Sequence, residues 1–242
     1  MSETLLVDFS DFDARGYRTV DARTGYGQWV ASYEDTVQDA MDVELLEALV
    51  GVPWEAVRTA ADLGCGTGRT GAWLRRRGVA EVDGVDLTPE MLAVARSRGA
   101  YRRLVEAEVA STGLESGAYG LVTSCLVDEH LADLRPLYRE ARRLAAPGAF
   151  FVLVGYHPHF IMAAGMPTHF HDSSGEPVAI ETHVHLLSHQ VTAGLEAGWE
   201  LVEMRERLID DRWLGLKPKW RRFRNQPITF ALVWREGSPG PR

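Results

Sequence analysis

Along this chain the apolar positions fall into two rhythms. Short apolar runs at residues 59–63, 82–86 and 102–106 read as strands. The stretches between them, 69–77 and 89–97, carry the longer apolar period of amphipathic helices. Thr88 and Pro89 add a start signal to the second helix, a capping hydroxyl followed by a residue whose missing N–H is harmless in a first turn. Strands and helices alternating over short links predict a parallel sheet with right-handed crossovers, whose ligand sits beyond the carboxyl ends of the strands. Upstream, residues 25–50 read as helical and broken into pieces. Trp29 and Tyr33, four apart, share a face, and Val43, Leu46, Leu49 and Val50 form the apolar side of the next piece. Residues 1–24 are polar and aperiodic and read as a loose arm. Downstream, 190–197 reads as a helix, 200–208 and 228–235 as two closing strands, and the Gly/Pro-rich tail at 237–241 as disordered.

Composition narrows the possibilities. With 242 residues the chain has room for one α/β domain with a lid and a substantial core. A formal net charge of −8 argues against a general affinity for nucleic-acid phosphates, which needs clustered Lys and Arg. Cys65 and Cys125, the only cysteines, fall in a glycine loop and at a strand end, which argues against a disulfide framework and favours a reducing cytoplasm. The first residues carry no basic stretch followed by a long apolar run, and no segment approaches ~18 apolar residues, so neither a signal peptide nor a membrane span is expected.

The candidate chemistry begins where the first strand ends, in Asp62-Leu63-Gly64-Cys65-Gly66-Thr67-Gly68. Gly64 and Gly66 permit a tight turn with positive φ and a close approach of backbone to ligand, and Gly68 opens the helix where a side chain would hold helix and strand apart. About twenty residues on, Asp86 ends the second run, where a carboxylate accepts hydrogen bonds from a ribose. The spacing is D-x-G-x-G-x-G and not G-x-G-x-x-G. A diphosphate is disfavoured beside a carboxylate, whereas Asp62 suits a ligand with a cationic amino-acid end. On these residues the chain resembles the class I S-adenosylmethionine (SAM)-dependent methyltransferases, especially the UbiE-like small-molecule branch. The resemblance is good over roughly residues 25–155 and holds in outline elsewhere.

The resemblance implies a Rossmann-like, doubly wound α/β fold. Its seven-stranded sheet would have strands 1–5 parallel and a C-terminal antiparallel hairpin, with an N-terminal helical cap and a lid inserted after strand 5. A single domain, 1–242, would divide into arm and cap (1–50), SAM-binding core (51–154), substrate lid (155–190) and C-terminal helix with edge hairpin (191–236). Residues 117–125 take the place of strand 4, with Gly120 where relatives usually carry an acid. Residues 134–144, 146–149 and 150–154 take the places of the next helix, turn and strand 5. SAM, and S-adenosylhomocysteine (SAH) as product, would be held by Asp62, Gly64, Cys65, Gly66 and Gly68, by Asp86, Leu87 and Met91, and by Cys125. Glu108 and Val109 would meet the adenine, Glu108 being longer than the family's usual Asp. Tyr26, Trp29 or Tyr33 would close over the cofactor, or pack as ordinary core. Leu126 to Leu131 fall where relatives carry H-x-L near the sulfonium. SAM brings its own leaving group, so the protein mainly aligns the partners and excludes water. A base is needed only where the nucleophile must lose a proton. Asp128, His130 and His157 are the candidates, His130 alternatively only packing beside the cofactor.

Seven of the eight histidines, His157 to His189, fall in one segment. Six form three H-x-H pairs, which on an extended strand share a face. Residues 178–185 alternate after a turn at 172–177, predicting a strand or hairpin over the active site. Metal ligation, substrate binding or base work, and a surface hairpin are the competing uses. No nearby acid or cysteine completes a metal spacing, and the position favours a substrate lid. Lys217-Pro218-Lys219-Trp220-Arg221-Arg222-Phe223-Arg224 is the one basic, aromatic stretch where RNA contact, or a handle for a substrate carboxylate or phosphate, would start. The expectation is a cytoplasmic SAM-dependent methyltransferase, monomer or homodimer, acting on an oxygen or nitrogen of a small molecule without nucleic-acid or membrane partners. An RNA or protein methyltransferase, and a SAM- or metal-binding protein without turnover, are the alternatives.

Overall fold

Residues 7–37 and 41–237 are described by the computed structural model. The chain enters through β1 (Arg18–Val20) and turns into α1 (Ala22–Thr36), capped by Asp21, whose carboxylate accepts from Thr24 N at 2.9 Å. After α2 (Met41–Ala48) the expected alternation follows: β2 (Thr59–Leu63), α3 (Arg69–Arg76), β3 (Glu81–Asp86), α4 (Pro89–Ser97), β4 (Arg103–Glu106), β5 (Tyr119–Cys125), α5 (Arg135–Leu144) and β6 (Ala145–Tyr156). The insert contributes α6 (Pro158–Ala164), β7 (His169–His171) and β8 (Pro177–Ile180). The chain then closes with α7 (Leu187–Glu196), β9 (Trp199–Leu208), α8 (Asp211–Leu216) and β10 (Pro227–Glu236).

Seven strands form one sheet in the order β4-β3-β2-β5-β6-β10-β9. The first five are parallel, and β10 runs antiparallel to both β6 and β9. Strand order reverses between β2 and β5, and that switch point is where ligands of doubly wound sheets bind. Both faces are covered, so the central strands are buried on each side. Leu137, Tyr138 and Leu144 of α5 pack with Phe151, Trp199 and Trp234 on one face. Leu45 and Leu46 of α2 pack with Trp73 and Leu74 of α3 on the other. Tyr138 meets Phe151 and Trp234 edge-on, at centroid distances of 5.3 and 5.7 Å. Among the described residues no helix is long and apolar enough to cross a membrane.

Four expectations change. The N-terminal arm is not loose in its described part: Arg18–Val20 pairs in parallel with Pro177–Ile180, and β1, β8 and β7 form a second, three-stranded sheet. Pro147 and Gly148 lie inside β6 and not in a turn before it; a register shift against β5 absorbs them. The insert opens with a helix, so His157 caps α6 and His159 lies in its first turn, not on a strand. The predicted strand at 178–185 stops at Ile180, beyond which only Val184 bridges to Val7. The basic stretch is a six-residue 3-10 segment, Pro218–Phe223, with Phe223 buried. Of the tail, residues 238–241 lie outside the described residues, as do residues 1–6 of the arm.

Candidate active site

The glycine loop leaves β2 at the switch point. Gly64 and Cys65 both donate their N–H to Val85 O, and Gly66 N–H donates to Asp86 Oδ2 at 2.7 Å. Gly64 has φ +72°, and a Cβ there would stand 2.3 Å from Val127 Cγ2, so backbone and packing both require glycine. At Gly66, φ +51°, a Cβ would meet nothing within 4 Å, because this residue faces open space. That space is a cavity of about 320 Å³.

Most of the sequence-predicted residues meet in its wall. Gly64, Cys65 and Gly66 line it from the loop, Asp86, Leu87 and Met91 from the end of β3 and the start of α4, Glu108 and Val109 from beyond β4, and Cys125 from the end of β5. Tyr26 and Tyr33 reach it from α1; Trp29 of the same helix does not. Gly68 is outside the wall, as N-cap of α3 with φ +91°. Asp62 is also outside. It lies behind the loop, 1% exposed, where Tyr101 OH donates to its Oδ2 at 2.7 Å and Thr123 Oγ1 to its Oδ1 at 2.9 Å. Burial lifts its carboxyl to about 6, with both hydrogen bonds opposing the rise.

The segment after β5 is a single 3-10 turn, Asp128–His130. With three residues per turn, consecutive side chains point three ways, and the three outcomes differ here. Asp128 points into the core, accepting from Gln190 Nε2 at 2.7 Å, while Tyr138 OH donates to Gln190 Oε1 at 2.9 Å. His130 points into the first cavity. Its Nδ1 lies 2.8 Å from the Glu181 carbonyl, which only an N–H can satisfy, so Nε2 accepts from Tyr26 OH at 2.9 Å. Burial lowers this imidazole to about 4, and it is neutral with both nitrogens engaged. Glu129 lines a second cavity, of about 260 Å³. It is 3% exposed, and its Oε2 has no hydrogen-bond partner among the described residues.

Aromatic side chains dominate this second cavity: Trp29, Tyr156, Phe160, Trp213 and Trp220, with Phe160 and Trp220 stacked at 4.6 Å. Lys217, Lys219, His169 and His171 also contribute to its wall. The two cavities share a partition. Tyr26 lines one and Trp29 the other, stacked at 5.9 Å, and the neighbouring His130 and Glu129 divide in the same way. His157 reaches neither cavity. Its Nε2 sits 2.8 Å from Glu206 Oε1, and its Nδ1 accepts from His159 N–H. The other insert histidines disperse too: His159 to Gln226, His169 to the Pro167 carbonyl, His185 to the Leu131 carbonyl. No three metal-capable side chains converge among the described residues.

Comparison with known proteins identifies what this arrangement belongs to. Residues 61–153 match the methyltransferase domain family. The chain is 29% identical to an uncharacterized methyltransferase of Emericella nidulans, over 74% of this chain and 72% of that one. It is 34% identical to the demethylmenaquinone methyltransferase of Thermus thermophilus, over 43% of this chain and half of that one. The crystal structure of a SAM-dependent methyltransferase from Mesorhizobium loti superposes with a TM-score of 0.64 at 23% identity, covering 82% of this chain and 99% of that one. The matches show a SAM-dependent methyltransferase, with its methyltransferase domain at residues 61–153.

SAM is the cofactor of this methyltransferase, and the first cavity fits it. Asp42 and Arg69, unremarked in the sequence, both line the cavity, with Arg69 Nε donating to Asp42 Oδ2 at 3.0 Å. Asp42 is 3% exposed, and its Oδ1 lacks a hydrogen-bond partner among the described residues. A buried acceptor beside a guanidinium matches the ammonium and carboxylate of a methionyl group. Asp86 accepts from Gly66 and Thr88 N–H, and a carboxylate has further lone pairs for a ribose diol. No local pattern marked Asp42, because its place in this wall depends on α2 packing against α3, the helix that follows the glycine loop.

Proposed function

We propose that the methyltransferase methylates an oxygen or nitrogen of a small molecule held in the second cavity. The observation that carries this reading is the shared partition: a cofactor-sized cavity and an aromatic cavity back onto each other across Tyr26–Trp29 and His130–Glu129. When bound, SAM supplies a methyl group already activated by a sulfonium. Asp42 and Arg69 would hold its amino-acid end, Asp86 its ribose, and Glu108 and Val109 its adenine. Tyr26 and Tyr33 wall the cavity and exclude water, which is most of what such a transfer asks of a protein. The neutral His130 fixes Tyr26 from one side and the Glu181 carbonyl from the other, so its role is to position the cap.

The insert, residues 155–190, serves as the substrate lid, since Phe160, His169 and His171 line the acceptor cavity. A volume of about 260 Å³ suits a small molecule and not a polymer segment. The net charge of −8 and the turning of Lys217, Lys219 and Trp220 into this wall weigh against RNA. The relative named for demethylmenaquinone supports a small-molecule acceptor. Two unpaired cysteines support a cytoplasmic setting.

The test is transfer of labelled methyl from SAM into a bacterial lysate separated into small molecules, protein and RNA. Label in the small-molecule fraction is expected. Label confined to protein or RNA, or none in any fraction from protein that binds SAH, overturns the proposal.

A further inference from the structure

Among the described residues, three buried polar atoms in residues lining the second cavity lack a hydrogen-bond partner: Glu129 Oε2 and the indole nitrogens of Trp213 and Trp220, and of these only the carboxylate can take up a proton. Glu129 is 3% exposed, and its Oε2 accepts no hydrogen bond from any described residue. Its backbone is fixed: the carbonyl accepts from His183 N–H at 2.7 Å, tying the turn to the insert. Its Oε1 stands 3.8 Å from His130 Nε2, a nitrogen already committed to Tyr26. A carboxylate with a free lone pair, facing an aromatic cavity, leaves an unmet hydrogen bond that an occupant can supply.

We infer that Glu129 is the catalytic base of this methyltransferase and that its acceptor is an aromatic hydroxyl compound, whose O–H proton passes to Glu129 Oε2. The inference rests on the small-molecule reading above. In the step, the acceptor O–H bond breaks toward Glu129 as the oxygen forms its bond to the methyl carbon. The carbon–sulfur bonding pair stays with sulfur, and the proton on Glu129 passes to water when product leaves.

The surroundings suit such an acceptor on three counts. Trp29, Tyr156, Phe160, Trp213 and Trp220 offer flat apolar walls, against which a planar ring packs. Lys219 and the paired His169 and His171 lie in the same wall and favour negative charge developing on oxygen. Burial also raises the Glu129 carboxyl to about 7, and the carboxyl of the adjoining Asp128 is raised by burial as well. A carboxylate of that basicity is a far better proton acceptor than an exposed one.

The test uses E129Q, which keeps shape and removes the basic oxygen, and 4-nitrophenol, whose absorbance reports where its proton lies. With SAH saturating, the wild-type protein should bind 4-nitrophenol with its band moved toward the phenolate. In E129Q the bound probe should keep the band of the neutral phenol. Nitrobenzene, with no proton to give, should bind both alike. The SAH dissociation constant should agree within about twofold between the proteins, showing the variant folded and the cofactor cavity intact. Labelled methyl transfer into the small-molecule fraction should fall about 100-fold or more in E129Q. An equal band shift in E129Q, no shift in the wild type, or undiminished transfer overturns the assignment. Failure of the small-molecule reading shows separately, as label in protein or RNA from the wild type.

Discussion

The hydrogen bond from Tyr101 to Asp62 can be weighed by removing one atom. In Tyr101→Phe, Asp62 Oδ2 loses a donor at 2.7 Å and Gly71 N–H loses an acceptor at 3.2 Å, both behind the glycine loop. The consequence depends on pH because Asp62 titrates at about 6 in the fold against 3.8 unfolded. A folded value above the unfolded one means that the native state holds the proton more tightly. Stability is then fullest below about 4 and declines as pH rises through 6, by about 3 kcal/mol in all. Tyr101 limits that decline by bonding the carboxylate. Without the hydroxyl the folded value climbs further, and the decline extends past neutrality. At pH 5 most of the Asp62 population is protonated in either protein, and the substitution removes a neutral hydrogen bond worth about 1 kcal/mol. At pH 8 it removes a charge-assisted one, and the loss should reach about 2–3 kcal/mol. Urea unfolding of the cofactor-free protein at both values, followed by tryptophan fluorescence, measures the difference. Equal destabilisation at pH 5 and pH 8 would refute the reasoning, because it would mean that Asp62 does not change charge between them.

Three further outcomes follow from the site. Gly64→Ala combines positive-φ strain with a 2.3 Å approach to Val127 and should lose about 2–4 kcal/mol of stability, whereas Gly66→Ala should lose about 1 kcal/mol yet weaken SAH binding about tenfold; thermal unfolding beside calorimetric titration with SAH checks the contrast, and the reverse order defeats it. His130, lowered to about 4, should show neutral-imidazole nitrogen resonances from pH 5 to 8, and because its folded value lies below the unfolded 6.5, stability should fall by about 3 kcal/mol as pH drops from about 6.5 toward 4; an NMR midpoint near 6.5 would contradict this. His157→Gln, outside both cavities, should leave kcat within about twofold while costing about 1 kcal/mol through its lost bond to Glu206; a hundredfold fall in labelled methyl transfer would return His157 to the chemistry.

Where a residue's role follows from its own backbone, the sequence was enough. The alternation from Thr59 to Cys125 gives the sheet, and Gly64, Gly66 and Asp86 stand where their spacing predicts because loop, strand end and helix start are local features. Roles set by distant partners were hidden. Whether Asp62 faces a ligand or the interior depends on Tyr101 and Thr123, and nothing near residue 62 announces either. The Asp128-Glu129-His130 run was legible as chemistry, but the turn that aims each side chain was not, so the run drew attention to its outer two members and passed over the middle one. The paired histidines misled for a related reason. Two residues apart means one face on a strand, but 157–159 begins a helix and 183–185 leaves the sheet. The three-residue strand Arg18–Val20 carries no periodicity of its own and exists only through its partner.

That last pairing bears on how the molecule is made. Arg18 and Val178 lie 160 positions apart, joined in parallel with the whole nucleotide-type core between them. At ~5–20 residues per second, β1 leaves the ribosome ~8–32 s before β8 has been synthesised. The parallel strands β2 to β6 can come together during that interval, whereas the three-stranded sheet that backs Trp29 cannot begin. A nascent chain would thus gain the cavity that fits its methyl donor well before it gains the cavity proposed for the acceptor. Pausing translation near residue 160 should yield an intermediate that retains SAH and has no walled site for an acceptor.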